Sequence, residues 1–208
     1  MTRAALYEEV KARARALRGE YGFDSPRIGR SDIRRIYRQE RIQIDYRHGL
    51  RNLRGAYFND DMGVHVMLAH GLPDEPTIFT MGHELKHHFM DCPKDGGYLS
   101  VCADSNVAQV VEISAEVFAA ELVYPEAEFA RDLEQLGIAR GACDARAIVQ
   151  LKHETRATLS YASLAKRAVV LGFAPKGALT KVAWVKLSES VYGEPLYKRL
   201  QRRRRASA

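Results

Sequence analysis

The amino-acid sequence predicts an α+β protein in which a small antiparallel sheet and its accompanying helices are followed by a helical C-terminal region. Hydrophobic residues recur at helical spacing in the first forty residues, and they alternate with polar residues from position 42 to position 46. Beyond Pro125 the helical spacing returns. With 208 residues, of which 46% are hydrophobic, the chain is long enough to bury a substantial core.

Two helices and a strand are expected in the first fifty residues. The first helix should stop near Gly19 and Gly22, which interrupt its apolar stripe. Ser31 is expected to cap a second, short helix, because a serine hydroxyl can accept a hydrogen bond from an unpaired backbone N–H. The strand then follows, with apolar residues at every second position: Ile42, Ile44 and Tyr46.

A β-hairpin and two buried helices are expected next. The turn formers at residues 59–63 separate the runs GAYF and VHVML, so the second hairpin strand should span residues 64–68. Helical spacing marks IFTMGHELKHHFM and then VAQVVEISAEVFAAELVYP, which Pro125 ends. Four further helices are expected around residues 129–136, 148–151, 164–171 and 182–187.

This pattern predicts a core at residues 1–125, a helical subdomain at 126–197 and a basic, disordered tail at 198–208. The formal charge is +6, but the segment from Glu194 onward contains six cations and one anion, so the rest of the chain is nearly neutral. A nearly neutral body argues against specific nucleic-acid binding. No leader-like segment is present and no apolar run approaches the roughly 18 residues of a membrane span, so a cytoplasmic protein without membrane contact is expected.

Residues 83–87, His-Glu-Leu-Lys-His, form an HExxH motif on the first buried helix. Residues four apart lie on one face of a helix, so His83 and His87 can reach the same metal ion. Glu84 is rotated from His83 by about 100° and can act as the general base that activates a hydrolytic water.

A third metal ligand is also required, because a catalytic zinc ion takes three protein ligands and keeps one position for water. The second buried helix presents Glu112 among apolar neighbours, and this residue is the expected third ligand. Glu121 and Glu126 are close enough in sequence to be alternatives. One Zn²⁺ per chain is therefore expected.

The two helices together resemble the ImmA/IrrE family of metallopeptidases. That family pairs a phrase like FTLAHELGH with one like ExEANxFAAxLLMP, and this chain has FTMGHELKHHF and, about two dozen residues later, EISAEVFAAELVYP. The resemblance places four residues on the family's first ligand, catalytic glutamate, second ligand and third ligand: His83, Glu84, His87 and Glu112.

The resemblance implies a zincin-like metallopeptidase core of the gluzincin type. It also implies an endopeptidase that cleaves a helix-turn-helix repressor encoded nearby, which releases stress-response or mobile-element genes. Lys86 stands where the family usually has glycine, Gly82 where it has alanine, and Tyr124 where it has methionine. None of these departures removes a ligand. The first forty residues predict no fused DNA-binding unit, so a separate protein is expected to contact DNA.

Further site residues are expected around the metal. Glu116, where the family usually has asparagine, is expected either to accept a hydrogen bond from a liganding histidine or to form a surface ion pair. A tyrosine or histidine should stabilise the oxyanion, and the candidates are Tyr57, His65, His70, Tyr98, Tyr124 and His153. An extended substrate is expected to pair with an edge strand formed by Val64, His65, Val66, Met67 and Leu68.

Two other functions compete with peptide hydrolysis. A non-hydrolytic, zinc-binding regulatory partner, comparable to a toxin–antitoxin component, would need the ligands but not the base, so the presence of Glu84 argues against it. A nucleic-acid-binding module built from the C-terminal helices and the basic tail would need a charged body, and the body is nearly neutral.

Overall fold

The computed structural model describes residues 2–50, 53–92, 105–196 and 198–200, and of residues 105–108 it describes the backbone alone. The elements in chain order are α1 (Arg3–Glu20), α2 (Arg30–Gln39), β1 (Gln43–Arg47), β2 (Gly55–Asp60), β3 (Gly63–Ala69), α3 (Asp74–Lys86), a π-helical turn (His87–Asp91), α4 (Ser105–Val123), α5 (Glu126–Gln135), α6 (Ala145–Thr155), α7 (Tyr161–Val170) and α8 (Trp184–Tyr192). The α+β class is confirmed.

The chain divides into two compact units. The first comprises Met1–Phe129 with Thr158–Ser160, and the second comprises Ala130–Ala157 with Tyr161–Ala208. The domain limits at residues 125 and 197 remain predictions. Of the tail that was expected to be disordered, residues 198–200 are helical and residues 201–208 lie outside the described part of the chain.

Each helix and strand expected from the sequence has a counterpart, but the start of α2 differs. This helix begins at Arg30, so Ser31 lies inside it and the prediction of a serine cap is wrong. Gly29 occupies the cap position, and its N–H donates to the Asp32 carboxylate at 2.8 Å. The Asp32 carboxylate, one turn into the helix, therefore provides an acceptor for a backbone N–H at the start of the helix.

The three strands form a mixed sheet in the order β1-β3-β2. β2 and β3 are antiparallel, as the hairpin turn predicts, but β1 runs parallel to β3. The expectation of a purely antiparallel sheet is thus wrong for β1, because its pairing is made after a crossover and is not set by a local turn. β3 lies in the centre of the sheet, so the prediction that residues 64–68 form an edge strand is also wrong.

Helix α3 is fixed by buried contacts with α2 and α4. The Tyr37 hydroxyl on α2 donates to the Met81 carbonyl at 2.9 Å, and both side chains are buried. On the other side, Gly82 faces Ala119 of α4 so closely that a β-carbon on Gly82 would lie 3.3 Å from the Ala119 β-carbon. The small residue at position 82 therefore allows the two helices to approach, which brings the acids of α4 to the histidines of α3.

The second unit has its own apolar core, to which Leu133, Ile148, Leu151, Leu164, Ala168 and Phe173 contribute. The Asp144 carboxylate caps α6 by accepting from the Ala147 N–H at 2.8 Å. None of the helices in the described residues has the length and apolar character needed to cross a membrane.

Candidate metal centre

The HExxH motif straddles the junction between α3 and the π turn. Helix α3 begins after Pro73 with Asp74 and Glu75 in its first turn, where carboxylates interact favourably with the helix dipole. Met81 and Leu85 point into the core. The spacing of the motif therefore leaves His83 and His87 together on the opposite side, towards α4.

The structure brings the three expected metal ligands together. His83 Nε2 lies 3.2 Å from one carboxylate oxygen of Glu112, and His87 Nε2 lies 3.7 Å from the other. One ligand atom from each residue can be chosen so that all three lie within 4.8 Å of one another. Bonds from zinc to nitrogen and oxygen are about 2.0–2.2 Å long, so these atoms can share one ion after small side-chain adjustments. The donor set fits a metal ion.

Within the trio of expected ligands, His83, His87 and Glu112, the protonation of His83 and that of Glu112 influence each other. Burial opposes protonation of His83, but its hydrogen bond with Glu112 and the nearby acids raise its pKa. The same hydrogen bond lowers the pKa of Glu112. A metal ion that binds here therefore competes with a proton on His83, because only an unprotonated imidazole nitrogen can be a ligand.

Glu84 is buried beside the trio and close to β2. Burial raises its pKa, and the positive character of His83 and His87 limits that rise. A β-carbon added to Gly55 would lie only 2.8 Å from a Glu84 carboxylate oxygen. The absence of a side chain at Gly55 thus provides the space for the carboxylate, which has the raised proton affinity that a general base needs.

Strand β2 runs beside a row of residues, four apart along the chain, that consists of Glu84, His88 and Cys92. Alternate strand residues advance by about 6.7 Å and residues four apart on a helix by about 6 Å, so the two rows can stay in register. Gly55 closely approaches Glu84, the Tyr57 hydroxyl lies 3.0 Å from His88 Nδ1, and the Asn59 amide donates to the Cys92 thiol at 3.1 Å.

Two adjoining cavities open over this row and over the trio. They share Leu53, Gly55, His83, Glu84 and Glu112 in their walls. One extends to Glu116, and the other extends to Tyr57 and His87. The three expected ligands and the buried Glu84 therefore face a shared cleft.

Among the expected oxyanion donors, Tyr57 lines this cleft. Burial raises its pKa, so its hydroxyl keeps its proton and can donate a hydrogen bond. His65 stacks on Phe58. Both side chains lie on the face of the sheet opposite to the face that packs against α3.

The other candidates have different surroundings. His70 stacks on His48, and the fully buried Tyr124 packs on Phe129. His153 belongs to the second unit, where it stacks on Tyr192. Tyr98 lies outside the described residues.

The alternative acids on and after α4 have structural partners. The buried Glu121 carboxylate pairs with Arg15 at 2.9 Å and accepts from the Glu126 N–H at 3.0 Å. Glu126 pairs with Lys11 at 2.9 Å. Glu116 lines the cleft, and its negative charge contributes to the raised pKa of His83. Its expected hydrogen bond to a liganding histidine remains a prediction.

One residue at the site was not anticipated. Asp91 accepts a hydrogen bond from His87 Nδ1 at 2.7 Å, and the Lys86 ammonium contacts its two oxygens at 2.6 and 2.7 Å. Burial tends to raise the pKa of Asp91, but the hydrogen bonds from His87 and Lys86 hold it below its usual range. The sequence signal was the unusual Lys86 together with an acid four residues after His87.

These features define an α+β fold in which three residues from two neighbouring helices could hold a metal ion, as in a zincin-like peptidase. The family model described as Peptidase_M78, the IrrE N-terminal-like domain, matches residues 45–167. This match covers more than half of the chain, and the protein therefore belongs to this peptidase family. The resemblance to ImmA/IrrE proteins is confirmed. A search of curated proteins gave no significant match.

Proposed function

We propose that this protein is a zinc-dependent endopeptidase that cleaves a helix-turn-helix transcriptional repressor. The observation that carries the catalytic part is the buried Glu84 beside His83, His87 and Glu112, all of which line the same cleft. A site that only held a metal would have no need of a buried carboxylate adjacent to the ligands.

The reaction assigns Glu84 to proton transfer. A zinc ion held by the three ligands would polarise the scissile carbonyl and acidify water. Glu84 accepts a proton from the attacking water and delivers it to the departing amine nitrogen, which balances the hydrolysis of one peptide bond. Its raised pKa favours holding that proton between the two steps.

The substrate segment pairs with the outer edge of β2. The Ala69 N–H donates to the Arg54 carbonyl at 2.9 Å, so hydrogen-bonded pairs between β2 and β3 alternate starting from residue 54. Gly55 and Tyr57 consequently direct their backbone groups to the other edge, with which no strand pairs in the described part of the chain. An extended peptide can add there, next to Glu84.

Tyr57 stabilises the oxyanion in this proposal. Its hydroxyl is held 3.0 Å from His88 Nδ1. During the reaction it exchanges this contact for the negatively charged oxygen that forms on the scissile carbonyl.

The proposal of a repressor as substrate is supported by the resemblance to ImmA/IrrE proteins, since members of that family cleave helix-turn-helix repressors that are often encoded beside them. A cytoplasmic endopeptidase needs narrow specificity, since broad cleavage would damage other proteins. We expect the cut to lie in an exposed, extended segment of the repressor, because only such a segment can pair with a strand edge.

The test mixes the purified protein and Zn²⁺ with the product of the neighbouring regulator gene. One discrete cut, located by mass spectrometry, is expected. The matched control is Glu84→Gln, which should keep the metal but slow cleavage by about 10²- to 10⁴-fold because the general base is lost. Metal content is measured on the same samples.

Two results would contradict the proposal. Cleavage by Glu84→Gln at the wild-type rate would remove Glu84 from the mechanism. An intact regulator together with rapid digestion of unfolded casein would replace the regulatory function with that of a general peptidase.

A further inference from the structure

Lys86 is a buried cation within the HExxH motif. Its side chain is 3% exposed, and an ammonium group that leaves water needs a close partner of opposite charge. Asp91 is that partner, and both of its oxygens lie within 2.7 Å of the Lys86 nitrogen. The contact is bidentate and mostly shielded from solvent, unlike an ordinary surface ion pair.

The π turn makes this pairing possible. In an α-helix, a residue five positions further on is rotated by about 140°, so its side chain points away from the first. Here the Cys92 N–H donates to the His87 carbonyl at 2.9 Å, which is the five-residue hydrogen bond of a π-helix. This wider turn brings Asp91 beside Lys86 while Asp91 also remains one turn from His87.

Asp91 is shared between the lysine and a metal ligand. The oxygen that accepts from His87 Nδ1 at 2.7 Å also contacts the Lys86 nitrogen at 2.7 Å. A proton held on Nδ1 leaves Nε2 unprotonated, and Nε2 is the atom that faces Glu112 at 3.7 Å. The carboxylate thus selects the tautomer and the ring orientation that a metal requires.

We propose that Asp91 is the positioning residue for His87, and that Lys86 is a second positioning residue that locks Asp91 through the π turn. The inference rests on the metal site of the proposed function and extends it to a lysine that the family does not usually have. It also assigns the support of a liganding histidine to the segment that carries the HExxH motif, whereas the sequence offered Glu116 on α4 either for that support or for a surface ion pair.

The test uses the full chain and two measurements. Co²⁺ affinity, followed by visible absorption in competition with a chelator, should fall by about 10- to 100-fold in Asp91→Ala, the usual effect of losing a ligand's hydrogen-bond partner. In the metal-free protein, the ¹⁵N resonances of His87 should show a proton on Nδ1 in the wild type and a mixture of tautomers in Asp91→Ala. A purely structural role would leave the tautomer unchanged.

Matched variants separate positioning from stability. Asp91→Asn should bind metal better than Asp91→Ala, since the amide oxygen can still accept from His87. Lys86→Met should weaken Co²⁺ binding by less than Asp91→Ala does, because the carboxylate remains but loses its anchor. Lys11→Met removes a similar lysine–glutamate pair, with Glu126, and should leave Co²⁺ affinity unchanged.

Asp91→Ala leaves Lys86 buried without its partner and can therefore unfold the protein. The double variant Lys86→Met/Asp91→Ala removes both charges and gives the same test if the single variant fails. Unchanged Co²⁺ affinity and an unchanged His87 tautomer in a folded variant lacking Asp91 would overturn the inference. A wild type whose metal affinity depends on Asp91, yet which cuts no peptide, would support the inference while removing the proposed function.

Discussion

The α3 side of the candidate metal centre, which contributes the histidines, and the α4 side, which contributes Glu112, differ in how exposed their side chains are. On the α3 side the side chains are mostly shielded from solvent, since that of His87 is 8% exposed and that of His83 17%. On the α4 side, the Glu112 side chain is 56% exposed. Glu84 and His87 are therefore buried and His83 is partly buried, whereas Glu112 reaches them from a solvent-facing part of its helix.

The contacts that position the side chains also differ between the α3 side and the α4 side. On the α3 side, Asp91 contacts His87, and Gly55 makes room for Glu84. The position of Glu112 instead depends on the approach of the two helices at Gly82 and Ala119, about two turns further along α4. Damage to the α3 side should therefore affect catalysis and folding together, whereas damage to the α4 side should affect metal binding more selectively.

The largest effect is expected for Glu112→Ala. Loss of a ligand's hydrogen-bond partner lowers metal affinity by up to ~100-fold, and loss of one of the three proposed ligands should lower it by well over that amount. The thermal stability of the metal-free protein should change little. Zinc content after dialysis and a melting curve measure the two properties. Glu126→Ala, an acid paired with Lys11, is the control and should retain one zinc per chain. Full zinc content in Glu112→Ala would remove Glu112 from the ligand set.

A smaller effect is expected for Gly55→Ala, on the buried side. The new methyl group would lie 2.4 Å from a Thr80 methyl group and 2.8 Å from the Glu84 carboxylate, so strand or carboxylate must move. We expect a loss of about 1–3 kcal/mol in stability from overpacking. A shift of about 1 Å in the base can lower the rate by about 100-fold, while metal affinity should change little.

Two variants sharpen this result. The double variant Gly55→Ala/Thr80→Ser lacks the Thr80 methyl group and should recover part of the stability. It should not recover the activity, because the new methyl group at position 55 still contacts Glu84. Gly19→Ala places a methyl group on α1 where no neighbouring atom lies within 4 Å, so activity should be unchanged. Full activity of Gly55→Ala would show that Glu84 tolerates displacement.

The smallest effect is expected for Glu116→Ala. Glu116 lines the cleft and acts on His83 through its charge, while Asp91 supports His87. Metal affinity should fall by an amount near the lower end of the ~10- to 100-fold range for outer partners, and chelator competition can measure it. An unchanged affinity would make Glu116 a surface acid without a role at the metal.

The sequence was sufficient for the features that rest on regular local spacing, although it misplaced the cap of α2. The interval between His83 and His87 places both on one helical face, and the turn formers before Gly63 place β2 against β3. Apolar periodicity marked α3 and α4. These patterns repeat within a few residues, so a single segment carries the whole signal.

Only the tertiary structure decided which distant segments became neighbours. β1 pairs parallel to β3 and makes β3 central, because strand order depends on a crossover that no local pattern encodes. That Tyr57 lines the cleft, unlike the other described tyrosine and histidine candidates, likewise depends on the position of β2 beside α3. Asp91 escaped detection because an α-helical reading separates it from Lys86 by about 140°, and the π turn that unites them depends on the surrounding packing.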